Sequence, residues 1–556
     1  MLIRLLRRLL QTENTTTGSE AVRTALPAGP EREGAEEALR QAARLLQAGQ
    51  VAAAEKLLRE ALDQAHDLAE AHFQMGELHG RRGELEDAAD CYELAVHFDP
   101  RHVPAHYALA ALHKSQGRYA RAAEHYQRIV ECSPHDAPAH TNLCFALYEM
   151  AAYDEAREHG ERALAISPKL PEAHHNLGLV LREIGKPEQA VHHFQKALEL
   201  APRAEMAAGL AHAYRDLGRL NEAIANYDRA LRLKPDLGDA AVNRAYAYLL
   251  KEDFADGWAQ YEGRFAATGA KERDFGFPRW QGEAPEGKTI LVHGEQGLGD
   301  EIMFASCLPG LLARAQRVIL ECSDRLQPLF QRSFPQAIVH GGSKEDPGEW
   351  VAQYTPIHYQ VPIGSLPRWL RPERSAFDQT AAYLRADRAV ANDFRTKLAT
   401  GRKPVIGLSW RGGTPKTRSH LRSLSLEQFM PLLAVDAVFV SLQHGVGSSE
   451  LAGAAALRTF QGATDDLDRL TALISALDLV VSVDNTNVHL AGALGRPVWV
   501  LLSASPEWRY GSRGETMPWY PSAKLFRQGA DRRWEPVIRQ LTTALCAWVE
   551  DSQTRD

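Results

Sequence analysis

Small, aromatic and proline residues recur with a period of 34 residues along the first half of the chain. Four prolines are spaced by 34 residues and a fifth follows after 33: Pro100, Pro134, Pro168, Pro202 and Pro235. An alanine stands twelve residues before each of them: Ala88, Ala122, Ala156, Ala190 and Ala223. Four residues later come Tyr92, Tyr126, Gly160, Phe194 and Tyr227. A sustained period of this length predicts a solenoid of repeated helical units.

Each period predicts two antiparallel helices. The small residues allow the helices to approach closely, the aromatic side chain fills the gap to the next unit, and the proline ends the second helix. This pattern resembles the tetratricopeptide repeat. It predicts six repeats over 35–237, the first of them (35–68) without its proline, and a degenerate helix pair at 238–267. The solenoid would therefore cover residues 35–267.

The concave face of such a solenoid is lined by the first helix of each repeat. The sixth position of this helix carries an amide in three of the repeats and in the degenerate pair: Gln74, Asn142, Asn176 and Asn243. An amide can donate to and accept from a peptide backbone, so Asn142, Asn176 and Asn243 are the predicted peptide groove. The local sequence resembles the asparagine ladder of O-GlcNAc transferases. The alternative is that these amides are solvated or bonded within their own repeat.

After about residue 270 the pattern changes to short apolar runs that alternate with helical segments. Buried strands are predicted at 289–293 and 318–321, and again at 405–410, 438–442, 479–483 and 498–502. This alternation predicts parallel sheets covered by helices. Two such halves, 268–400 and 401–556, resemble the GT-B architecture of two Rossmann-like halves facing a cleft. A last helix at 534–549 would cross back onto the first half.

One predicted strand ends at an Asp-Asn-Thr turn that opens a helix, at 484–486. The N-terminus of a helix offers free N–H groups and a positive dipole end, which suit a phosphate. The segment resembles the Asp-Thr/Ser-Gly-x-x-His stretch of bacterial heptosyltransferases, with Asn485 and Thr486 at the departing positions. Asp484, Asn485, Thr486 and His489 are therefore predicted to bind a sugar-nucleotide donor. The alternative is a structural helix cap, for which Asp, Asn and Thr are common.

The loop after the first predicted strand contains Gly297, Gly299, Asp300 and Glu301. Two glycines allow the backbone to pass close to a ligand, and the carboxyl end of a parallel strand is where ligands bind. Heptosyltransferases carry a similar Gly-Asp here, which implies that Asp300 is the general base that deprotonates the acceptor hydroxyl. Glu301 is the nearest rival, and capping of the following helix is the structural alternative.

Cationic side chains follow the strand at 405–410. Lys416 and Arg422 are predicted to neutralise the leaving phosphate of the donor, and Gln443 to contact its nucleoside. Neither a metal nor a resident cofactor is expected.

The phrases Gly257-Trp258, Gly-Glu-Gln-Gly-Leu-Gly-Asp at 294–300 and Trp519-Tyr520-Pro521 resemble those of bacterial protein glycosyltransferases that carry tetratricopeptide repeats. The resemblance implies an inverting, metal-independent protein O-glycosyltransferase. In that family flagellin is the acceptor, and the sugar is a nonulosonic acid such as pseudaminic acid. Two alternatives stay open: a heptosyltransferase-like enzyme that glycosylates a glycolipid or lipopolysaccharide, and an inactive scaffold.

Composition excludes several other classes. The chain of 556 residues has 64 basic against 71 acidic side chains, so no nucleic-acid partner is expected. Six cysteines without a CxxC pair fit a reducing compartment and a cytoplasmic enzyme. Residues 1–34 are predicted to be a helix and a linker. A helix over 1–10 would place three arginines on one face, which predicts a weak membrane-surface contact or a frayed end.

Overall fold

The structure is a computed structural model. It describes residues 30–269, 272–343, 346, 348–378, 381–399, 401–414, 417–451 and 453–554. The predicted helix at 1–10 and Lys416 lie outside these residues. The chain forms two compact units, one up to Pro202 and one from Arg203 onward.

The first unit is a series of five antiparallel helix pairs. Their helices are Pro30–Gln47, Val51–Gln64, Ala69–Arg81, Leu85–Phe98, Val103–Ser115, Tyr119–Cys132, Ala137–Glu149, Tyr153–Ile166, Pro171–Glu183 and Pro187–Leu200. The helical solenoid is thus confirmed, although its first helix begins at Pro30, five residues before the predicted start.

Small and aromatic residues pack in the solenoid as the period predicts. A Cβ atom added at Gly76 would lie 2.6 Å from the ring of buried Tyr92, and one at Gly178 would lie 2.9 Å from the ring of buried Phe194. The turn inside each repeat needs a residue with positive φ, such as Gly117 at 70°. In the fourth repeat Ala151 takes this position at 59°, where a side chain is disfavoured.

The second unit begins with two more helix pairs and a short helix. They are Ala204–Asp216 with Leu220–Leu233, Gly238–Leu250 with Phe254–Tyr261, and Arg264–Thr268. Trp258 is buried in the core of this unit and contacts the rings of Phe304, Trp508 and Trp519. The last predicted helix pair is therefore part of the same core as the α/β halves.

Two parallel sheets follow. The first has the order β3-β2-β1-β4, and the second has the order β10-β9-β8-β5-β6-β7. The strands are β1 (Thr289–His293), β2 (Arg317–Ser323), β3 (Ile338–Gly342), β4 (Tyr359–Pro362), β5 (Val405–Ser409), β6 (Val438–Ser441), β7 (Leu457–Arg458), β8 (Leu479–Val483), β9 (Val498–Leu502) and β10 (Ala523–Arg527). Strands β1, β5, β8 and β9 are buried along their whole length, as expected for parallel strands covered on both faces.

The helices around the sheets include Leu298–Phe304, Leu308–Leu312, Gln327–Ser333, Pro367–Leu370, Arg388–Leu398, Ser419–Arg422, Leu426–Phe429, Ser448–Leu451, Leu467–Ser475, Thr486–Ala493 and Trp534–Thr554. The order of strands and helices agrees with the two predicted Rossmann-like halves and is consistent with GT-B.

The last helix, Trp534–Thr554, corrects one prediction. Its buried residues, among them Leu541 and Leu545, pack in one cluster with Leu408, Val481 and Leu501 of the second sheet. The prediction that this helix crosses back onto the first half is therefore wrong. Its apolar stripe covers the outer face of its own sheet.

Candidate functional site

The predicted site residues converge on the carboxyl edges of the two sheets. Asp300 follows β1, Gln443 follows β6, and Asp484 follows β8. Carboxyl ends of parallel strands meet at one edge of a sheet, where α/β proteins bind ligands.

The loop between β1 and the helix Leu298–Phe304 is held by hydrogen bonds to residues of the helical part of the unit. Both carboxylate oxygens of Glu295 accept hydrogen bonds from Arg264, at 2.6 and 2.8 Å, and one also accepts from the N–H of Gly364 at 2.8 Å. The Gln296 amide donates to the hydroxyl of Tyr261. Arg264 and Tyr261 belong to the helical part of the unit, which therefore holds the loop in place.

Asp300 lies in the first turn of this helix and pairs with Arg509 from the second half. The carboxylate Oδ1 accepts the hydrogen bond from Arg509, while Oδ2 accepts none from the described residues. The side chain of Asp300 is 18% exposed. Arg509 thus orients the carboxylate of Asp300, and Oδ2 of this carboxylate is left to accept from another donor.

The ion pair of Asp300 continues into a chain of charges. Arg509 lies 3.7 Å from Glu507, whose other oxygen accepts from Arg422 at 3.0 Å. The same Arg422 nitrogen donates to Asp484 at 2.9 Å. Burial raises the pKa of Asp484 to about 7, although Arg422 opposes the shift. Acidic and basic side chains thus alternate from Asp300 in the first half to Asp484 at the end of β8.

His489 is buried close to Arg509 and Asp300, two of these charged residues. It is 6% exposed, and its Nδ1 is 3.2 Å from the hydroxyl of Tyr520. Burial lowers the pKa of His489 to about 3, so the ring is neutral. A Cβ atom at Gly299 would lie 3.1 Å from the ring. The glycine therefore lets the first loop close onto the helix Thr486–Ala493.

Asn485 and Gln443 join strand ends. Oδ1 of Asn485 accepts from the N–H of Asn487 at 2.9 Å, which is an N-cap, and its amide donates to Ser409 at 2.8 Å. Oε1 of Gln443 accepts from the backbone N–H of Trp410 and Arg411. Asn485 therefore caps the helix Thr486–Ala493, which is the structural alternative to donor binding for this turn.

The remaining predicted residues lie around this edge. Thr486 is half-buried at the start of its helix. Glu301 is buried, and its carboxylate accepts from the N–H of Ser323 at 3.0 Å. Glu301, Gly297 and Ser323 line a cavity of about 300 Å³ at the carboxyl ends of β1, β2 and β3. Glu301 therefore faces this cavity while it links the first loop to β2.

The groove residues have different environments. Asn142 lines a cavity of about 750 Å³ in the first unit, together with Phe73 and Tyr107. The amide of Asn176 donates to the backbone carbonyl of Thr141 in the preceding repeat at 3.0 Å. In the second unit Asn243 donates to Asp239 within its own helix.

The histidines of the repeats have a structural role. Nε2 of His106, His140 and His174 lies 3.0–3.2 Å from the carbonyl six residues earlier, and Nδ1 lies 2.9–3.0 Å from Nδ1 of a second histidine. The partners are His125, His159 and His193. Each pair therefore links the two helices of one repeat.

One group of potential metal ligands occurs among the described residues. It consists of His79, Glu84 and Asp87. His79 is already bonded to Glu84, and the group lies at the turn inside the second repeat. It is not at the carboxyl edge of either sheet.

Sequence reasoning missed the residues that hold Asp300 in place. From the sequence, no role is assigned to Arg509, Trp508, Glu295 or Arg264. The signal available was the clustering of charged residues in the segment after β9. Their partners are separated by up to 209 residues, as in the pair of Asp300 and Arg509, and one sequence does not reveal such pairs.

Comparisons with known proteins agree with this organisation. Tetratricopeptide repeat families match residues 39–103, 73–137, 136–203 and 211–251. Residues 460–537 match glycosyltransferase family 9 (heptosyltransferase). The chain thus combines tetratricopeptide repeats with a glycosyltransferase family 9 segment. Asp484, His489 and Arg509 lie inside that segment.

Protein FlbA of Caulobacter vibrioides is 32% identical over 331 residues, which cover 56% of this chain and 55% of FlbA. The match therefore spans about half the length of that relative. Among solved structures, a thermophilic repeat protein of Thermus thermophilus is 26% identical with a TM-score of 0.28, covering 33% of this chain and 99% of its own. YrrB, described as a repeat protein with an unusual peptide-binding site, is 20% identical with a TM-score of 0.30, covering 33% and 95%. No helix within the described residues has the length and apolar character that a membrane span requires.

Proposed function

We propose that this chain is a glycosyltransferase that transfers a sugar from a nucleotide donor to a hydroxyl group of a protein acceptor held by the repeats. The observation that carries the proposal is the contact between the Asp300 loop and the segment that matches glycosyltransferase family 9. Arg509 and His489, both in that segment, contact Asp300 and Gly299 respectively.

Asp300 is the proposed general base. Its Oδ2 would accept the proton of the attacking hydroxyl while Arg509 holds Oδ1 and keeps the carboxylate oriented. As the acceptor oxygen bonds to the anomeric carbon, the bond from that carbon to the phosphate oxygen of the nucleotide would break, so displacement in one step would release the nucleotide and invert the configuration. Glu301 is less suited, because its buried carboxylate already binds the backbone of Ser323.

The donor would lie over the carboxyl edge of the second sheet. A Cβ atom at Gly412 would lie 2.7 Å from the carbonyl oxygen of Asp484, so this loop packs directly on the end of β8. In our proposal Arg422, Asp484, Asn485 and Gln443 position the loop, because their polar atoms already bind protein groups. Thr486 and Lys416 remain proposed direct contacts to the donor phosphates.

The test uses the purified full chain, flagellin and a panel of CMP-, UDP-, GDP- and ADP-activated sugars, including the pseudaminic acid donor. Intact-mass spectrometry of flagellin should show an added sugar. Asp300→Asn should lower the rate by at least about 100-fold, since general base catalysis contributes roughly 10²–10⁴-fold. Asp378→Asn, an exposed carboxylate of the same half, is the matched control. Equal rates for both variants would reject Asp300 as the base.

The heptosyltransferase description of the matched family favours a second candidate acceptor, a glycolipid or lipopolysaccharide sugar. The same donor panel with a purified lipopolysaccharide core as acceptor tests it. Transfer to the glycolipid and not to protein would replace the protein acceptor. Absence of transfer to either, together with absence of donor binding by calorimetry, would leave a scaffold.

A further inference from the structure

A second recess in the same unit lies at the opposite edge of the second sheet. It has a volume of about 590 Å³. Its walls come from part of the segment 384–395, which connects the two halves, and from residues 475–476 and 494–496, which precede β8 and β9. Residues that precede parallel strands lie at the edge opposite to those that follow them. The recess is therefore separate from the proposed transferase site, which follows the strands.

Four arginines line this recess, and no acidic side chain lines it within the described part of the chain: Arg385, Arg388, Arg395 and Arg496. Nearby carboxylates are already engaged. Asp387 accepts hydrogen bonds from the N–H groups of Ala389 and Val390, and Asp393 pairs with Lys397.

Asp478 is the nearest acidic partner of the set. It lies 3.6 Å from Arg395 and also accepts from the backbone N–H of Val405 at 2.9 Å. Arg385, Arg388 and Arg496 form no ion pair within 4.0 Å among the described residues, although the charge of Asp478 also attracts Arg496. The four arginines of the recess therefore outnumber the one carboxylate that acts on them.

The arginine charges also repel one another. Arg496 is half-buried, and burial together with the charge of Arg395 lowers the pKa of its guanidinium below the ordinary value. Arg385, Arg388 and Arg395 are exposed, so their charges reach solvent, and cations that share a concave surface attract anions. A guanidinium offers parallel donors that match the oxygens of a phosphate, so arginine is the usual residue for this purpose.

We propose that this four-arginine recess is a binding site for a ligand with two or more phosphate groups. Four guanidinium groups exceed what one phosphate can contact in bidentate geometry, and the volume has room for at least a diphosphate. The source of the phosphates is either a free polyphosphate or a lipid headgroup. The site does not depend on the transfer reaction proposed above.

The test is isothermal titration of the full chain with pyrophosphate, tripolyphosphate and inorganic phosphate, in the absence of nucleotide sugar. We expect tripolyphosphate and pyrophosphate to bind more tightly than phosphate, with affinity that falls as salt rises. Arg395→Gln with Arg496→Gln should weaken pyrophosphate binding by roughly tenfold or more. Arg388→Gln, at an exposed position, should weaken it by a smaller factor. Arg539→Gln on the last helix is the matched control and should bind as the parent does.

The lipid arm uses flotation with phosphatidylcholine vesicles that contain or lack cardiolipin. Cardiolipin-dependent flotation that the double variant loses would identify the headgroup as the source. Free polyphosphate binding without flotation would identify a soluble ligand. The proposal is overturned if neither polyphosphates nor cardiolipin bind, or if the folded variants bind them as tightly as the parent does.

Discussion

The two compact units are stabilised by contacts of very different range along the chain. In the unit up to Pro202, the side-chain bonds that join helices connect neighbours, such as Tyr92 with Glu77 fifteen residues earlier and His106 with His125 nineteen residues later. In the unit from Arg203 onward, Asp300 bonds Arg509 over 209 residues and Arg418 bonds Asp216 over 202. A change in the first unit should therefore act locally, whereas a change in the second should affect the whole unit.

The largest effect is expected from Arg509→Ala. The substitution leaves Asp300 and Glu507 without their shared cation and opens the link between the two halves. Breaking a buried pair by removing one partner costs roughly 3–5 kcal/mol, and the partial exposure of this pair favours the lower end. Urea unfolding followed by tryptophan fluorescence measures the change, because Trp508 and Trp519 report on this core.

Arg513→Ala is the matched control, since Arg513 is exposed in the same segment. The control should unfold within about 0.5 kcal/mol of the parent. If Arg509→Ala were as stable as Arg513→Ala, the charged chain would not hold the halves together. Transfer activity, once measurable, should fall with Arg509→Ala, because Asp300 loses its orientation.

The repeat unit offers a sharper contrast through Gly76→Ala and Gly80→Ala in one helix. The added methyl at position 76 would lie 2.6 Å from the ring of Tyr92 and 3.2 Å from a backbone oxygen, whereas at position 80 its nearest neighbour is 3.5 Å away. Overpacking costs about 1–3 kcal/mol, while alanine in a helix gains up to about 1 kcal/mol over glycine.

Hydrogen exchange measured by mass spectrometry locates the effect. Gly76→Ala should raise exchange in the helices of residues 69–98 and their neighbours, and leave residues from 203 onward unchanged. Gly80→Ala should protect the same helices as well as or better than the parent. Loss of protection throughout both units would contradict the local character of the solenoid.

These two regions also differ in how far the sequence predicts them. The period of 34 residues places both helices and their small-to-aromatic contacts, because each repeat packs mainly on its neighbours. The strands β8 and β9 are predicted residue for residue, because buried parallel strands are continuous apolar runs bounded by turns. The pairing of Asp300 with Arg509 and the docking of the last helix on its own sheet were not predicted, because they depend on three-dimensional proximity that one sequence does not encode in its spacing.

A smaller effect is expected from acid on the histidine pairs of the solenoid. Nε2–H of His140 donates to the carbonyl of Pro134, so its Nδ1 must accept from Nδ1–H of His159. Burial lowers the pKa of both rings, and it lowers that of His125 in the preceding repeat to about 4. Because the folded pKa lies below the unfolded value of about 6.5, this stabilisation is present above pH ~6.5 and is lost as pH falls through the lowered folded pKa.

His159→Gln isolates one pair. Glutamine can still donate to His140 but does not titrate, so the helices of residues 137–166 should lose less protection than in the parent as pH falls below ~6.5. Hydrogen exchange corrected for the intrinsic chemical rate measures this repeat by repeat. Residues 103–132 and 171–200 keep their pairs and are the internal control. An equal change in all three repeats would show that the pairs do not act independently.

A pH dependence of opposite sign is expected from Asp484→Asn in the second unit. Burial raises the pKa of Asp484 from 3.8 to about 7, so the folded state holds the proton more tightly than the unfolded state. Stability from this group is therefore greatest below pH ~4 and declines as pH rises to ~7, by at most about 1.4 kcal/mol per unit.

Asparagine keeps an oxygen for Arg422 but does not titrate. The free energy of unfolding of the variant should therefore rise relative to that of the parent as pH increases, because the other titrating groups are the same in both proteins. Asp531→Asn, at an exposed carboxylate, should show no such trend. A difference that stays constant with pH would mean that Asp484 is charged throughout, and that the chain from Asp300 to Asp484 is a full ion-pair network.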